Sequence, residues 1–142
     1  MFQFLDTPKD WEDRTALWEG WLRTVLTSEG RREGVFVYRF FLDKELHSLN
    51  VKFLNHDTFT DVITFDKSRG AKASADIAIS HERVRENAEK EGVEPNQEAD
   101  RVVLHAVLHV CGYKDKTKED EKEMRLLEEK YLLLRPKQLF HV

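Results

Sequence analysis

The sequence predicts a mixed α+β fold in which a small sheet packs against several helices. Three observations lead there. A helical apolar pattern occupies the first thirty residues, short runs rich in β-branched and aromatic residues follow, and three further helical patterns close the chain. The 142 residues suit one domain, 1–142. With 40% hydrophobic and 35% charged residues, the chain has the balance of a globular protein able to bury one core without staples.

The first helix is expected from Asp10 to Ser28, where Trp11, Trp18, Trp21, Leu22 and Val25 recur at helical spacing and Gly30 follows. Three tryptophans on one helix read as packing residues. Gly34 to Phe41 reads as a strand and Asp43 to Leu54 as a short helix. Asp61–Phe65 and Ala75–Ile79 are two more strands, joined by a polar hairpin loop that carries Gly70. Ser80 is placed to cap a helix from His81 to Glu91, which Gly92 closes. Pro95 opens a helix that runs to Val110 and ends at Gly112. Thr117 with Asp120 and Glu121 approximates a capping box for a last helix reaching Leu134, before Pro136. The expected order is helix, strand, helix, two strands, three helices.

Several function classes drop out. Cys111 is the single cysteine, so no internal disulfide forms, and a reducing intracellular setting is expected. The opening MFQFLDTPKDWEDR has neither a basic n-region nor a long apolar h-region, so no signal peptide is expected. No run approaches the roughly 18 apolar residues of a membrane span. A net charge of −4 argues against nucleic-acid binding by bulk electrostatics alone. It leaves room for local basic clusters at Arg31 and Arg32, at Lys67-Ser68-Arg69, and at Lys114, Lys116 and Lys118, each of which also reads as ordinary solvated charge.

The chemistry points to His105-Ala-Val-Leu-His109, inside the helix with the clearest pattern. Residues four apart share a helix face, with Cβ atoms about 5–6 Å apart. Two imidazoles so placed can converge on one ion. Arg101 lies on roughly the same face, and Cys111 on the other, where it reads as a core residue and not a ligand. If the helix continued, Asp115 would lie about 9 Å beyond His109 along the axis, out of reach. Gly112 changes that, because glycine readily takes the left-handed conformation that ends a helix and turns the chain back. Asp115 can then complete a His-His-carboxylate set for a metal with one position left open, the mark of a catalytic site. A water bound there would have its pKa lowered to about 7. Zinc proteases place a glutamate base directly after the first histidine. Here that position is Ala106, which moves the expected substrate away from peptides and toward one with anionic oxygens, such as a phosphodiester.

These residues resemble a known family. His105-Ala-Val-Leu-His109-Val-Cys-Gly112-Tyr113-Lys-Asp115 is similar to the His-Gly-x-Leu-His-Leu-x-Gly-Tyr-Asp-His signature of the bacterial YbeY family, the rRNA maturation endoribonucleases. Thr60-Asp61-Val62-Ile63-Thr64-Phe65 resembles the family's Thr-Asp-Val-Leu-Ser-Phe segment. Ala75-Asp76-Ile77-Ala78-Ile79-Ser80 resembles its Gly-Asp-Ile-x-Ile-Ser strand, and Leu54-Asn55 also matches. The matching segments keep their order from about Val35 to Glu128.

The resemblance implies a four-stranded mixed sheet packed with about five helices, and one zinc-type ion (Zn2+) held by His105, His109 and Asp115; Mn2+ or Mg2+ enters only through the harder oxygen of Asp115. It also implies cytoplasmic, single-strand-specific RNA cleavage in small-subunit rRNA maturation and ribosome quality control, with the small ribosomal subunit as partner and neither DNA nor membrane involved.

Three departures stand out. Asp115 occupies the usual place of a third histidine, a change a zinc site accepts and one that tilts preference toward manganese or magnesium. Ala106 replaces glycine. The loop before Thr60 is short, His56-Asp57-Thr58-Phe59, and lacks the family's usual arginine. His56 is either its stand-in or a solvated loop residue. Asp61 and Asp76, expected at strand edges, read as capping or turn residues or as acceptors that orient the ligands. Lys114, Lys116 and Arg83 read as phosphate contacts or surface charges. Two other readings remain: a metallopeptidase on the same frame, and a non-enzymatic ribosome-assembly factor with a structural metal.

Overall fold

Four strands, β1 (Phe2–Leu5), β2 (Arg32–Phe41), β3 (Val62–Asp66) and β4 (Lys72–Ser80), form one sheet in the order β1-β2-β4-β3 in the computed structural model, which describes residues 1–140. β1 runs parallel to β2 and β2 parallel to β4, while β3 is antiparallel to β4. Five α-helices accompany them: α1 (Thr15–Ser28), α2 (Asp43–Leu54), α3 (His81–Glu91), α4 (Pro95–Val110) and α5 (Lys118–Leu132). The expected α+β class, mixed four-stranded sheet and five helices are all present.

The main core lies on one face of the sheet. Along β2, Phe36, Tyr38 and Phe40 alternate inward, as a strand's period of two requires, and β4 adds Ala73, Ala75, Ile77 and Ile79. Trp18, Trp21 and Leu22 of α1 and Val103, Ala106 and Val107 of α4 cover them. The indole nitrogens bury with partners. Trp18 Nε1 donates to Asp100 at 2.8 Å and Trp21 Nε1 to the Tyr131 carbonyl at 3.0 Å. On the opposite face, α2 seats Leu46 on Ile63 and Ala78 in a smaller cluster.

The structure corrects several expected boundaries. The helix expected from Asp10 is two elements, a 3₁₀ turn at Lys9–Arg14 and then α1. Residues three apart eclipse in a 3₁₀ turn, so Trp11 and Arg14 both point inward. β2 starts at Arg32 and not Gly34, and β4 at Lys72 and not Ala75, because their parallel pairing extends to Arg32↔Lys72. That pairing passes a bulge between Glu33 and Phe36, where a Cβ on Gly34 would meet the Ala73 carbonyl oxygen at 2.5 Å. β3 spans Val62–Asp66, one residue later than expected at each end, and α5 stops at Leu132 instead of Leu134. β1 was not expected at all. Its four residues pair with β2 in the register Phe2↔Phe36 to Leu5↔Arg39.

The caps follow the sequence closely. Ser80 Oγ accepts from the Arg83 amide at 3.1 Å, Gly92 closes α3 with φ +69°, and Thr117 and Asp120 form the reciprocal capping box of α5.

Candidate metal centre

α4 is buried along almost its whole length. Between Glu98 and Val110, only Arg101, His105 and His109 are partly exposed, and they follow one another at intervals of four. One polar stripe of a central helix therefore faces outward, and it carries both histidines. Their rings meet edge to face, with centroids 4.5 Å apart.

Gly112 ends the run as expected. Its φ of +106° lies in a region that side chains other than glycine rarely occupy, and the chain reverses there. Tyr113 fixes the reversed segment from two sides. Its amide donates to the Leu108 carbonyl at 3.1 Å, and its hydroxyl donates to Glu29 at 2.6 Å. Tyr131 donates to the same Glu29 carboxylate. The hydrogen bond to Glu29, then burial and the Glu29 charge, push the Tyr113 hydroxyl up to about 12.

Asp115 thereby returns to the histidines. Its Oδ2 lies 3.3 Å from His105 Nε2 and 3.2 Å from His109 Nε2. One ligand atom from each of the three residues falls within 4.8 Å of the others. In a tetrahedral site with zinc bonds near 2.0–2.1 Å, ligand atoms sit about 3.3–3.4 Å apart, so the two distances from Asp115 suit such an ion. Both Nδ1 atoms are engaged elsewhere, His105 with Glu128 at 2.6 Å and His109 with the Tyr113 carbonyl at 2.9 Å. The donor set of two Nε2 atoms and a carboxylate fits a zinc-type ion.

Two cavities open on this cluster. One, of about 560 Å³, runs between β3 and α4 and is lined by Asn50, His56, Thr60, Thr64, His105, His109, Asp115 and Lys116 among others. The other, about 320 Å³, lies toward α5 beside Arg101, His105, Asp115, Glu121, Arg125 and Glu128. His105 and Asp115 border both.

Behind the cluster lies a charged network. Arg101 contacts Glu98 at 2.7 Å, Glu128 at 3.2 Å and Asp61 at 3.6 Å. Burial alone would lower the Arg101 pKa, but the hydrogen bond to Glu98 and the surrounding carboxylates raise it. Burial would raise Glu128, yet the hydrogen bond with His105 and the Arg101 charge hold it below the usual carboxylate range.

The remaining sequence candidates separate. Asp61 lies just before β3 and meets Arg101 and Asn87. Asp76 lies within β4 and not at its edge, and it pairs with Lys67 at 2.5 Å. Arg83 is held by Asp43 at 2.7 Å and lies over Phe59. Arg31 donates to the Val110 carbonyl at 2.8 Å, at the C-terminal end of α4. Cys111 is half-buried against the core, and burial pushes its thiol up to about 11. His56 and Lys116 do line the larger cavity.

Sequence reasoning missed Glu128. The signal was its phase. Met124, Glu128 and Tyr131 lie at spacings of four and three on the buried side of α5, so a glutamate stands on an apolar stripe.

The family model for Endoribonuclease YbeY matches residues 6–134. The chain belongs to the YbeY family. It is 42% identical to Endoribonuclease YbeY of Flavobacterium johnsoniae over 130 residues, which cover 92% of this chain and 90% of that protein. It is 48% identical to Endoribonuclease YbeY of Flavobacterium psychrophilum over 122 residues, 86% of this chain and 84% of the relative. Among solved structures, it is similar to the solution structure of TM1509 from Thermotoga maritima, with a TM-score of 0.65 and 26% identity over 93% of this chain and 87% of that one. The YbeY resemblance read from the sequence segments therefore extends over most of the chain.

Proposed function

We propose that this chain is a metal-dependent, single-strand-specific endoribonuclease that acts in the cytoplasm on small-subunit rRNA, in 3′ end maturation and ribosome quality control, with the small ribosomal subunit as partner. The observation that carries the reading is the convergence of His105, His109 and Asp115 on one open cleft. The RNA part rests on the relatives, which bear the name endoribonuclease.

His105, His109 and Asp115 would hold the ion, zinc in the first instance and manganese or magnesium as alternatives. When bound, the ion supplies Lewis acidity toward phosphate oxygens and a water activated near neutral pH. The chain's own residues do the rest. Nε2 of each histidine and the Asp115 carboxylate would hold the ion in place at the mouth of the cleft. His56 and Lys116, on the wall of the same cleft, are the groups placed to bind phosphate oxygens, His56 standing where the family usually has an arginine. Ala106 is fully buried, so no protease-type base enters the cleft from the position after His105.

The test combines elemental analysis with cleavage assays on single-stranded RNA, duplex RNA and a peptide panel, with and without chelator, for wild type and His105→Ala. The expected result is a metal-bound wild type that cleaves single-stranded RNA, stops with chelator, and leaves duplex and peptides intact. Turnover of peptides alone would replace this reading with a metallopeptidase. A metal-bound protein that co-sediments with the small subunit and cleaves nothing would make it an assembly factor.

A further inference from the structure

We propose that Glu128 is a positioning residue for this centre: it fixes His105 as the Nδ1–H tautomer and so presents the Nε2 lone pair to the metal. The inference rests on the proposed metal-binding role of His105, His109 and Asp115.

The argument begins with burial. The Glu128 side chain is only 3% exposed, and it comes from α5, on a different element from both histidines. A buried carboxylate persists when its charge is paired and its oxygens are hydrogen-bonded. Here both partners touch Oε2: Arg101 Nη1 at 3.2 Å supplies the charge, and His105 Nδ1 at 2.6 Å supplies the second bond. An ionised carboxylate only accepts. The hydrogen between Oε2 and Nδ1 therefore belongs to the imidazole. A neutral imidazole carries one N–H, so Nε2 is left with its lone pair exposed. Asp115 Oδ2 also only accepts and lies 3.3 Å from that atom, but the 2.6 Å contact to buried Glu128 is much the shorter, so the hydrogen stays on Nδ1.

His109 reaches the same state by a different route. Its Nδ1 faces the Tyr113 carbonyl at 2.9 Å, which can only accept and is closer than Asp115 Oδ2 is to Nε2, at 3.2 Å. One histidine is set by a carboxylate carried on α5, the other by a backbone carbonyl just past the Gly112 turn. The two can be perturbed separately, which makes His109 an internal control. Arg101 extends the arrangement, because its guanidinium also contacts Glu98 at 2.7 Å and Asp61 at 3.6 Å. Asp61 therefore acts on the site through Arg101 rather than by orienting a ligand.

The alternative is that Glu128 merely neutralises Arg101 and steadies the contact of α5 with α4. Two measurements separate the roles. The first is zinc affinity, by competition with a chromophoric chelator, for wild type, Glu128→Gln and Glu128→Ala. The second is the long-range 1H–15N spectrum of the metal-free proteins at a pH where the imidazoles are neutral.

Positioning predicts about 10–100-fold weaker zinc binding in both variants. It also predicts a wild-type His105 protonated on Nδ1, a shift toward Nε2–H in Glu128→Ala, and an unchanged His109. Wild-type affinity in folded variants, or a wild-type His105 protonated on Nε2, overturns the proposal. Should both variants unfold, the wild-type spectrum alone decides. Should the wild type bind no zinc, the proposed function fails instead, while the spectrum still judges the role of Glu128.

Discussion

His109 is hydrogen-bonded to the residue that follows its own helix turn: its Nδ1 lies 2.9 Å from the carbonyl oxygen of Tyr113. That contact exists because Gly112, between them, reverses the chain with φ +106°. The same reversal returns Asp115 to within 3.2 Å of His109 Nε2. A single backbone conformation thus sets the orientation of one candidate ligand and the position of another.

Gly112→Ala tests this link. An added Cβ would meet nothing within 4 Å, so the penalty is conformational and not steric. A non-glycine residue held in a sparsely populated region costs about 1–3 kcal/mol. Urea denaturation should show a loss in that range, and zinc affinity should fall along with it. Unchanged values for both would mean that the turn does not depend on glycine.

Tyr113→Phe separates the anchor from the ligand geometry. The variant loses the hydroxyl bond to Glu29 but keeps the backbone carbonyl that faces His109. The expected outcome is a stability loss of about 1 kcal/mol in urea denaturation, with metal affinity little altered. A large drop in affinity would show that the Glu29 contact holds the turn itself.

Asp115 departs from the third histidine usual in the family, and the two chemistries can be exchanged. Asp115→His should retain one bound metal with a preference moved toward zinc over manganese. Asp115→Ala should lose more affinity than the roughly 10–100-fold that removal of an outer hydrogen bond costs. Isothermal titration with zinc and manganese reads both. Equal affinity in wild type and Asp115→Ala would remove Asp115 from the ligand set.

The Glu128 carboxyl has a definite sign in acid. Its folded pKa lies below the ordinary 4.5, so the unfolded chain binds its proton more readily. The stabilisation is complete above about 4.5 and is lost as pH falls through the lower folded value. Thermal midpoints for wild type and Glu128→Gln should therefore differ most near neutrality and converge as pH falls below the ordinary value of 4.5. A gap that widens in acid would reverse the sign.

Much of this site was legible because helix geometry is local. The spacing of His105 and His109 fixes a shared face, and a glycine three residues on signals a turn. The caps at Ser80 and Thr117 were legible for the same reason. What stayed hidden depends on contacts distant in sequence. Phe2–Leu5 is too short to show a period, and it is a strand only because it pairs with β2 some thirty residues on. Glu128 sits in a charged run, Lys118 to Lys130, where only its phase with Met124 and Tyr131 separates it from the solvated glutamates around it, and its partners appear only when α5 docks on α4. The partners of Asp61 (Arg101 and Asn87) and of Asp76 (Lys67) stayed hidden for the complementary reason. Their strand segments were recognisable, but the direction of each side chain was set by sheet order, which places Asp76 against Lys67.

The most direct test of the account is a metal back-titration of single-stranded RNA cleavage. Protein stripped with chelator receives zinc in steps while cleavage of a defined single-stranded RNA is followed. The account predicts no cleavage without metal, a linear return of activity that saturates at one equivalent, and no return in His105→Ala at any step. Full activity in the stripped protein, or recovery in His105→Ala equal to wild type, would contradict it.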